Sequence, residues 1–515
     1  MIAIAHSIAL LGLDANLVRV EVDATHSIPS FELVGLAEAA VRESRVRVRS
    51  ALAVLGVELS EQRLVVNLAP ADLRKSGAGF DLAIAAAVLA ALGYLEPARL
   101  EGTLLLGELG LDGEVRPVRG VLAGLASLSP GTFRRAVVPT ANGAEAVLAQ
   151  TCPIAAIGHL RELADALRGA VLPPEPREAP PAPDDDLDFS DVRGQPMARR
   201  ALEIAAAGAH NLLFVGPPGA GKTMLARRLP GLLPPLERDE ALQVTAIHSV
   251  AGLLGSNHGL LRRRPFRAPH HTASDVAIVG GADPPRPGEL TLAHHGVLFL
   301  DELPEFRRQT LEALRQPMED GTVSVSRASG KAIFPARPMV IAAMNPCPCG
   351  HLGDGTDRCR CSAERVRTYR ARVSGPILDR LDLHVALPPV ALRELREKPA
   401  GEGSAAIRAR VARARDVQLA RTEAGVVRRT CNAFLSPREL EAVVVLPAGE
   451  IREVERFAVL HGLSARGYAK VLRVGRTIAD LAGAEEVTIQ HVLEAFSYRS
   501  FDRRGAVGAG VHARA

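Results

Sequence analysis

Val18, Val20 and Val22 alternate with Arg19, Glu21 and Asp23, which predicts a half-buried strand. The apolar first thirteen residues carry no basic segment ahead of them, so a folded N-terminus is expected rather than a signal peptide. The longest apolar run, Leu82 to Leu92, is too short to span a bilayer and predicts a buried helix. Three later runs, Leu212 to Val215, Val297 to Leu300 and Met339 to Ala343, have strand length and are separated by helical stretches. That order predicts a parallel sheet. Beyond Ala391 the β pattern fades and helices are expected, including Glu450 to Leu460 and Ala465 to Leu481.

Six prolines between Pro173 and Pro183, then Asp184, Asp185 and Asp186, form a stretch that cannot bury a core. It divides the chain into an N-terminal domain (1–172), a linker (173–186), a central α/β block (187–390) and a helical C-terminal region (391–515). A length of 515 residues agrees with several domains. Aromatic residues are 3% of the total with no Trp, too few for a ligand held mainly by base stacking. A formal charge of +4 neither favours nor excludes nucleic acid, because screening leaves only local patches effective. Six cysteines make no disulfide framework, and a reducing, cytoplasmic location is expected, with no membrane partner.

The strand at Leu212 to Val215 runs into Gly216, Pro217, Pro218, Gly219, Ala220, Gly221, Lys222 and Thr223, followed by a helical run. In that context the segment reads as a phosphate-binding loop for ATP: backbone N–H groups converge on phosphate, Lys222 reaches the β- and γ-phosphates and Thr223 binds Mg²⁺. Val297 to Leu300 ends in Asp301 and Glu302, placing one carboxylate for the metal and one to polarise water. Asn345, just beyond the third strand, is expected to contact the γ-phosphate or the water.

Asp301, Glu302, Asn345 and the segment Ile377 to Asp382 resemble the AAA+ ATPases of the magnesium-chelatase-like branch, which is similar to the minichromosome-maintenance helicases. Arg264 to Thr272 and Gly280 to Phe306 resemble its ComM/YifB group almost residue for residue, and the likeness covers essentially the whole chain. It implies an AAA+ P-loop α/β core, a C-terminal helical lid and a homohexameric ring that uses ATP to move DNA. Branch migration of recombination intermediates during natural transformation, alongside recombination proteins, follows from the same resemblance. So do an arginine finger at Arg380, reaching a neighbouring subunit, and a second sensor at Arg466. Without the family, an ion pair for Arg380 and a solvated helix face for Arg466 would be preferred.

Gly107 to Gly120 and Lys75 to Ala85 resemble the Lon-type protease domain, implying an α+β fold at the N-terminus. The Ser nucleophile falls on Gly77 and its Lys on Leu122, so protease chemistry is not expected. Ser76 lies one position off, and Lys75 would have to serve as base from an unrelated place. Arg42, Arg45 and Arg49 read as a solvated helix face. A chelatase subunit is the rival enzyme and an ATP-binding scaffold the rival non-enzyme; against the first stands the N-terminal domain, which the resembling chelatase subunits lack.

Lys222 and Asp301 are further apart than a compact βαβ unit requires, so an insertion is expected between them. It carries Arg262, Arg263, Arg264 and Arg267, which suit either DNA phosphates or an acidic neighbour. Thr322 to Ser326 and Lys331 to Pro335 predict a hairpin whose Arg327 and Lys331 would face DNA. Cys347, Cys349, Cys359 and Cys361 suit tetrahedral Zn²⁺, the alternatives being free thiols or an iron–sulfur cluster. His270, His271, His294 and His295 show no ligand spacing and read as structural.

Overall fold

The computed structural model describes the chain except residues 1, 37, 76, 78, 169, 171–172, 174, 180–186, 256–258, 390–400 and 500–515. Ser76 and the acidic end of the linker, Asp184 to Asp186, therefore lie outside the described residues.

Strand Asp14–His26 buries Val18, Val20 and Val22 completely, as the alternation predicts. It pairs antiparallel with Ile2–Leu11 through the two-residue turn Gly12–Leu13. Gly12 sits at φ +69°, which an L side chain would resist. The hairpin lies inside a seven-stranded mixed sheet ordered 30–34, 62–69, 14–26, 2–11, 103–105, 135–139, 154–157. The expected buried helix is Asp81–Ala91, with every residue buried. Its one charge, Asp81, is neutralised by Arg47 (Nε to Oδ2 2.6 Å) and also accepts the Leu109 N–H at 3.1 Å.

The central block holds a five-stranded, all-parallel sheet ordered 266–267, 297–300, 339–344, 212–215, 383–386. All residues of Leu212–Val215, Val297–Leu300 and Met339–Met344 are buried, as continuous apolar runs in a sheet covered on both faces require. The C-terminal helices, among them Ser404–Glu423 and Ala465–Leu481, extend the core of the central sheet. Val411, Val471, Val474 and Ile478 share one apolar cluster with Leu212, Phe214 and Ile341. A buried polar knot reinforces the join, in which Lys470 pairs with Asp382 just ahead of strand Leu383–Ala386.

That last strand is closed on its free side by the end of the described chain. The His384 N–H donates to Tyr498 O at 2.6 Å, and the buried Arg499 guanidinium donates to Leu381 O at 2.7 Å.

The N-terminal domain is joined to the core by an apolar cluster of Leu122 and Leu148 with Leu236, Ala241, Val244 and Leu260. Beside it, the buried Ser249 hydroxyl donates to Glu145 at 2.5 Å and accepts the Gly120 N–H at 3.0 Å. A second contact involves the hairpin Thr322–Arg327 and Gly330–Pro335, whose turn is Ala328–Ser329. Val323, Val325, Ala332 and Phe334 pack inward, and Gly12 of the N-terminal hairpin lies so close that a methyl there would stand 2.8 Å from Ala332 Cβ. Among the described residues no helix is long and apolar enough to cross a membrane.

Candidate nucleotide site

Every parallel strand of the central sheet delivers its carboxyl end to the same edge, so the loops after 212–215, 297–300 and 339–344 meet there. Gly216–Gly221 turns from strand into helix Lys222–Leu232 with Gly219 at φ +78° and Gly221 at φ +88°. No atom lies within 4 Å of where their side chains would be, so these glycines serve backbone conformation and leave space above the loop.

Lys222 Nζ donates to Gly216 O (2.7 Å), Pro217 O (3.0 Å) and Asn345 Oδ1 (3.0 Å). Burial lowers its pKa, opposed by Asp301 and Glu302. Thr223 Oγ1 donates to Asp301 Oδ2 at 2.8 Å, while Asp301 Oδ1 accepts the Glu302 N–H at 2.9 Å. The first and second motifs are thus already in contact. Glu302 has a left-handed backbone, φ +53°, and its carboxylate lies 3.0 Å from His271 Nδ1. His271 arrives by way of strand Phe266–Arg267, which pairs parallel with Val297–Leu298 and ends at the same edge. The contact places His271, which the sequence reads as structural, directly against Glu302. His294 and His295 share Gln243 Oε1 at 3.0 and 3.2 Å and are structural; burial drives His294 down to about 3, so it is neutral.

Arg380 stands at the amino-terminal edge of the sheet, away from its own phosphate loop, its carbonyl accepting from Asn211 Nδ2 at 3.1 Å. Its guanidinium pairs with Glu319 (2.5 Å) and donates to Arg315 O (3.0 Å) and Pro376 O (2.7 Å). Arg466 is exposed in the first turn of helix Ala465–Leu481, one turn before the Lys470 that anchors to that same far edge.

The basic insertion needs correction as a phosphate track. Arg264 is buried, donating to Pro234 O (2.7 Å) and His295 O (2.8 Å) and pairing with Glu240 (3.0 Å). Arg267 makes a two-pronged pair with Glu289 at 2.6 and 2.7 Å. Both hold the insertion together, leaving Arg262 and Arg263 on the surface. Arg327 and Lys331 are exposed near the hairpin tip, on either side of its turn. The four cysteines converge, their sulfurs lying within 4.8 Å of one another.

Fold and site define a P-loop nucleotide-binding protein whose mixed α/β core and helical C-terminal region fit the AAA+ type. Family models described as magnesium chelatase, subunit ChlI, match residues 188–395, and the corresponding C-terminal model matches 401–499. A further model, subunit ChlI of Mg-chelatase, matches 20–142, so the N-terminal domain does not by itself separate this chain from chelatases. The chain is 43% identical over 508 residues to uncharacterized protein YifB of Escherichia coli, covering 98% of both. It is 42% identical over 509 residues to competence protein ComM of Haemophilus influenzae, again covering 98% of both. Over 100 residues, 19% of this chain and 11% of the other, it is 34% identical to DNA replication licensing factor mcm-6 of Caenorhabditis briggsae. The protein belongs to the ComM/YifB family of magnesium-chelatase-like proteins.

Proposed function

We propose that this protein is an ATP-driven DNA motor, working as a ring of six subunits, that migrates branched recombination intermediates such as those formed when incoming DNA is integrated. The observation that carries the ATPase half is the assembly of Lys222, Thr223, Asp301, Glu302 and Asn345 at one sheet edge. Lys222 exchanges its contacts with the loop carbonyls for the β- and γ-phosphates, and Thr223 and Asp301, already hydrogen-bonded to each other, would hold a Mg²⁺ ion, which would supply positive charge against the developing phosphate charge. Glu302 orients the attacking water, Asn345 contacts it or the γ-phosphate, and ADP and phosphate result. Arg380 serves the neighbour's site, a role supported by its position at the edge of the sheet away from its own phosphate loop, and Arg466 acts as the second sensor.

The DNA half draws on the likeness to competence protein ComM and to DNA replication licensing factor mcm-6, and on the exposed Arg327 and Lys331. Phosphate contacts carry no base information, which suits a motor for any sequence. The N-terminal domain is read as a Lon-like scaffold without peptidase chemistry: Gly77 is exposed at φ +83°, and Leu122 is buried in the joint with the core. The chelatase family models favour a second reading, porphyrin metallation. The deciding experiment is ATP-dependent unwinding of a three- or four-way junction by the purified protein, with Glu302→Gln as the inactive control. ATP turnover without any action on junctions would sink the motor reading.

A further inference from the structure

The strand Met339–Met344 leads through Asn345 and Pro346 to Cys347, which is fully buried, and a compact loop then returns Cys349, Cys359 and Cys361 to the same point. The sulfurs of Cys347 and Cys349 are 3.3 Å apart, and Cys359 lies 3.7 Å from each. A tetrahedral ion with Zn–S bonds of about 2.3 Å requires sulfur separations of roughly 3.8 Å. An iron–sulfur cluster, in which the cysteines bind different irons, needs its sulfurs spread more widely than a single tetrahedral ion does.

The loop is built to hold this arrangement. Asp354 is buried and gathers His351 Nδ1 (3.0 Å), the Thr356 N–H (2.9 Å) and Arg358 Nη2 (3.0 Å), which ties the two C-x-C pairs together. Four thiolates on one divalent ion leave two negative charges, and the Arg370 guanidinium lies within electrostatic reach of Cys347. Arg370 closes the loop by donating to Pro346 O at 3.2 Å.

The same loop touches the nucleotide site. Gly350, at φ +83°, approaches the phosphate loop so closely that a methyl there would stand 2.7 Å from Pro218 Cδ and 3.8 Å from Asn345 Cγ.

We propose that Cys347, Cys349, Cys359 and Cys361 bind one Zn²⁺ as a tetrahedral thiolate site, and that this site braces Asn345 and Pro218 in the geometry that receives ATP. The metal site stands on its own geometry; the bracing role rests on the ATPase reading above. Zinc binding releases the thiol protons and changes no oxidation state.

Full-length protein purified without chelators is expected to contain one zinc and no iron per chain by elemental analysis. Cys359→Ser and Cys361→Ser are expected to lose that zinc, whereas Cys152→Ser and Cys431→Ser keep it. With unchanged far-UV circular dichroism, the first pair should bind a fluorescent ATP analogue at least about threefold more weakly than the parent. Where a variant does not fold, zinc displaced from the parent by a mercurial reagent, counted with a colorimetric chelator, should match four protected thiols per ion. Iron in place of zinc, or well under one zinc per chain, overturns the site. Zinc loss with unchanged nucleotide affinity overturns the bracing role alone, and a parent that binds no ATP overturns the ATPase reading while the metal content still decides the site.

Discussion

His271 Nδ1 lies 3.0 Å from Glu302 Oε2, so the carboxylate proposed to orient water is held by a side chain from the neighbouring strand's loop. The imidazole limits which rotamers Glu302 explores, and it makes no hydrogen bond to the phosphate loop. His271→Ala should therefore lower kcat for ATP hydrolysis by roughly tenfold and leave KM for ATP within about twofold. His271→Asn, which keeps a donor, should recover most of the loss. A steady-state comparison in which KM rises and kcat is unchanged would contradict the positioning role.

Arg380 must leave Glu319 before it can reach across to a neighbour, which makes its effect depend on assembly. Arg380→Ala and Lys222→Ala should each be inactive alone, and mixing them should restore part of the turnover, because mixed rings contain interfaces with both groups intact. No recovery across mixing ratios would mean that Arg380 does not act in trans.

The hairpin charges can be removed without disturbing its packed face, since Val323, Val325, Ala332 and Phe334 carry the burial. Arg327→Ala with Lys331→Ala should spare basal ATPase activity and assembly, abolish junction unwinding and reduce the slope of log affinity against log salt by about 2. Parental unwinding rates in the double variant would transfer the translocating role to the surface around Arg262 and Arg263.

Asp382 is buried, which opposes its ionisation, but Lys470 and His210 outweigh that and hold its pKa below the ordinary carboxylate value. A depressed folded pKa means that its contribution is fully present above about pH 4 and is lost as pH falls further. Lys470→Met strands the carboxylate and should destabilise the core by about 3 to 5 kcal/mol in denaturant unfolding. Adding Asp382→Asn should restore much of that. If the double variant is no more stable than the single one, the pair is not the reason Lys470 matters.

The nucleotide site was readable because each of its parts is local: strand, glycine turn and helix follow one another at Leu212 to Leu232, and Asp301–Glu302 ends its own strand. The hairpin was readable too, although Arg327 and Gly330 pair with each other instead of joining the turn. What could not be read are partnerships made across the fold. Arg264 and Arg267 look alike in a basic run, but Glu240 and Glu289 consume them. His271 finds Glu302 only because two short strands lie side by side, and the alternation of apolar residues carries no trace of strand order. The four cysteines occupy the intermediate case: spacing suggested a common centre, and the glycines at 350, 353 and 355, all at positive φ, let the chain fold back to it.

The closure of strand Leu383–Ala386 by Tyr498 and Arg499 has a consequence for biosynthesis. Until the ribosome has released that last segment, the outermost strand of the ATPase sheet offers unpaired backbone groups to any other strand nearby. Every polypeptide still being translated on a polysome therefore carries an open template for β-pairing over more than a hundred residues of elongation, and early termination within the final helices would leave it open permanently. Such truncated chains are expected to co-aggregate in inclusion bodies, which makes residues near Arg499 a poor place to shorten an expression product.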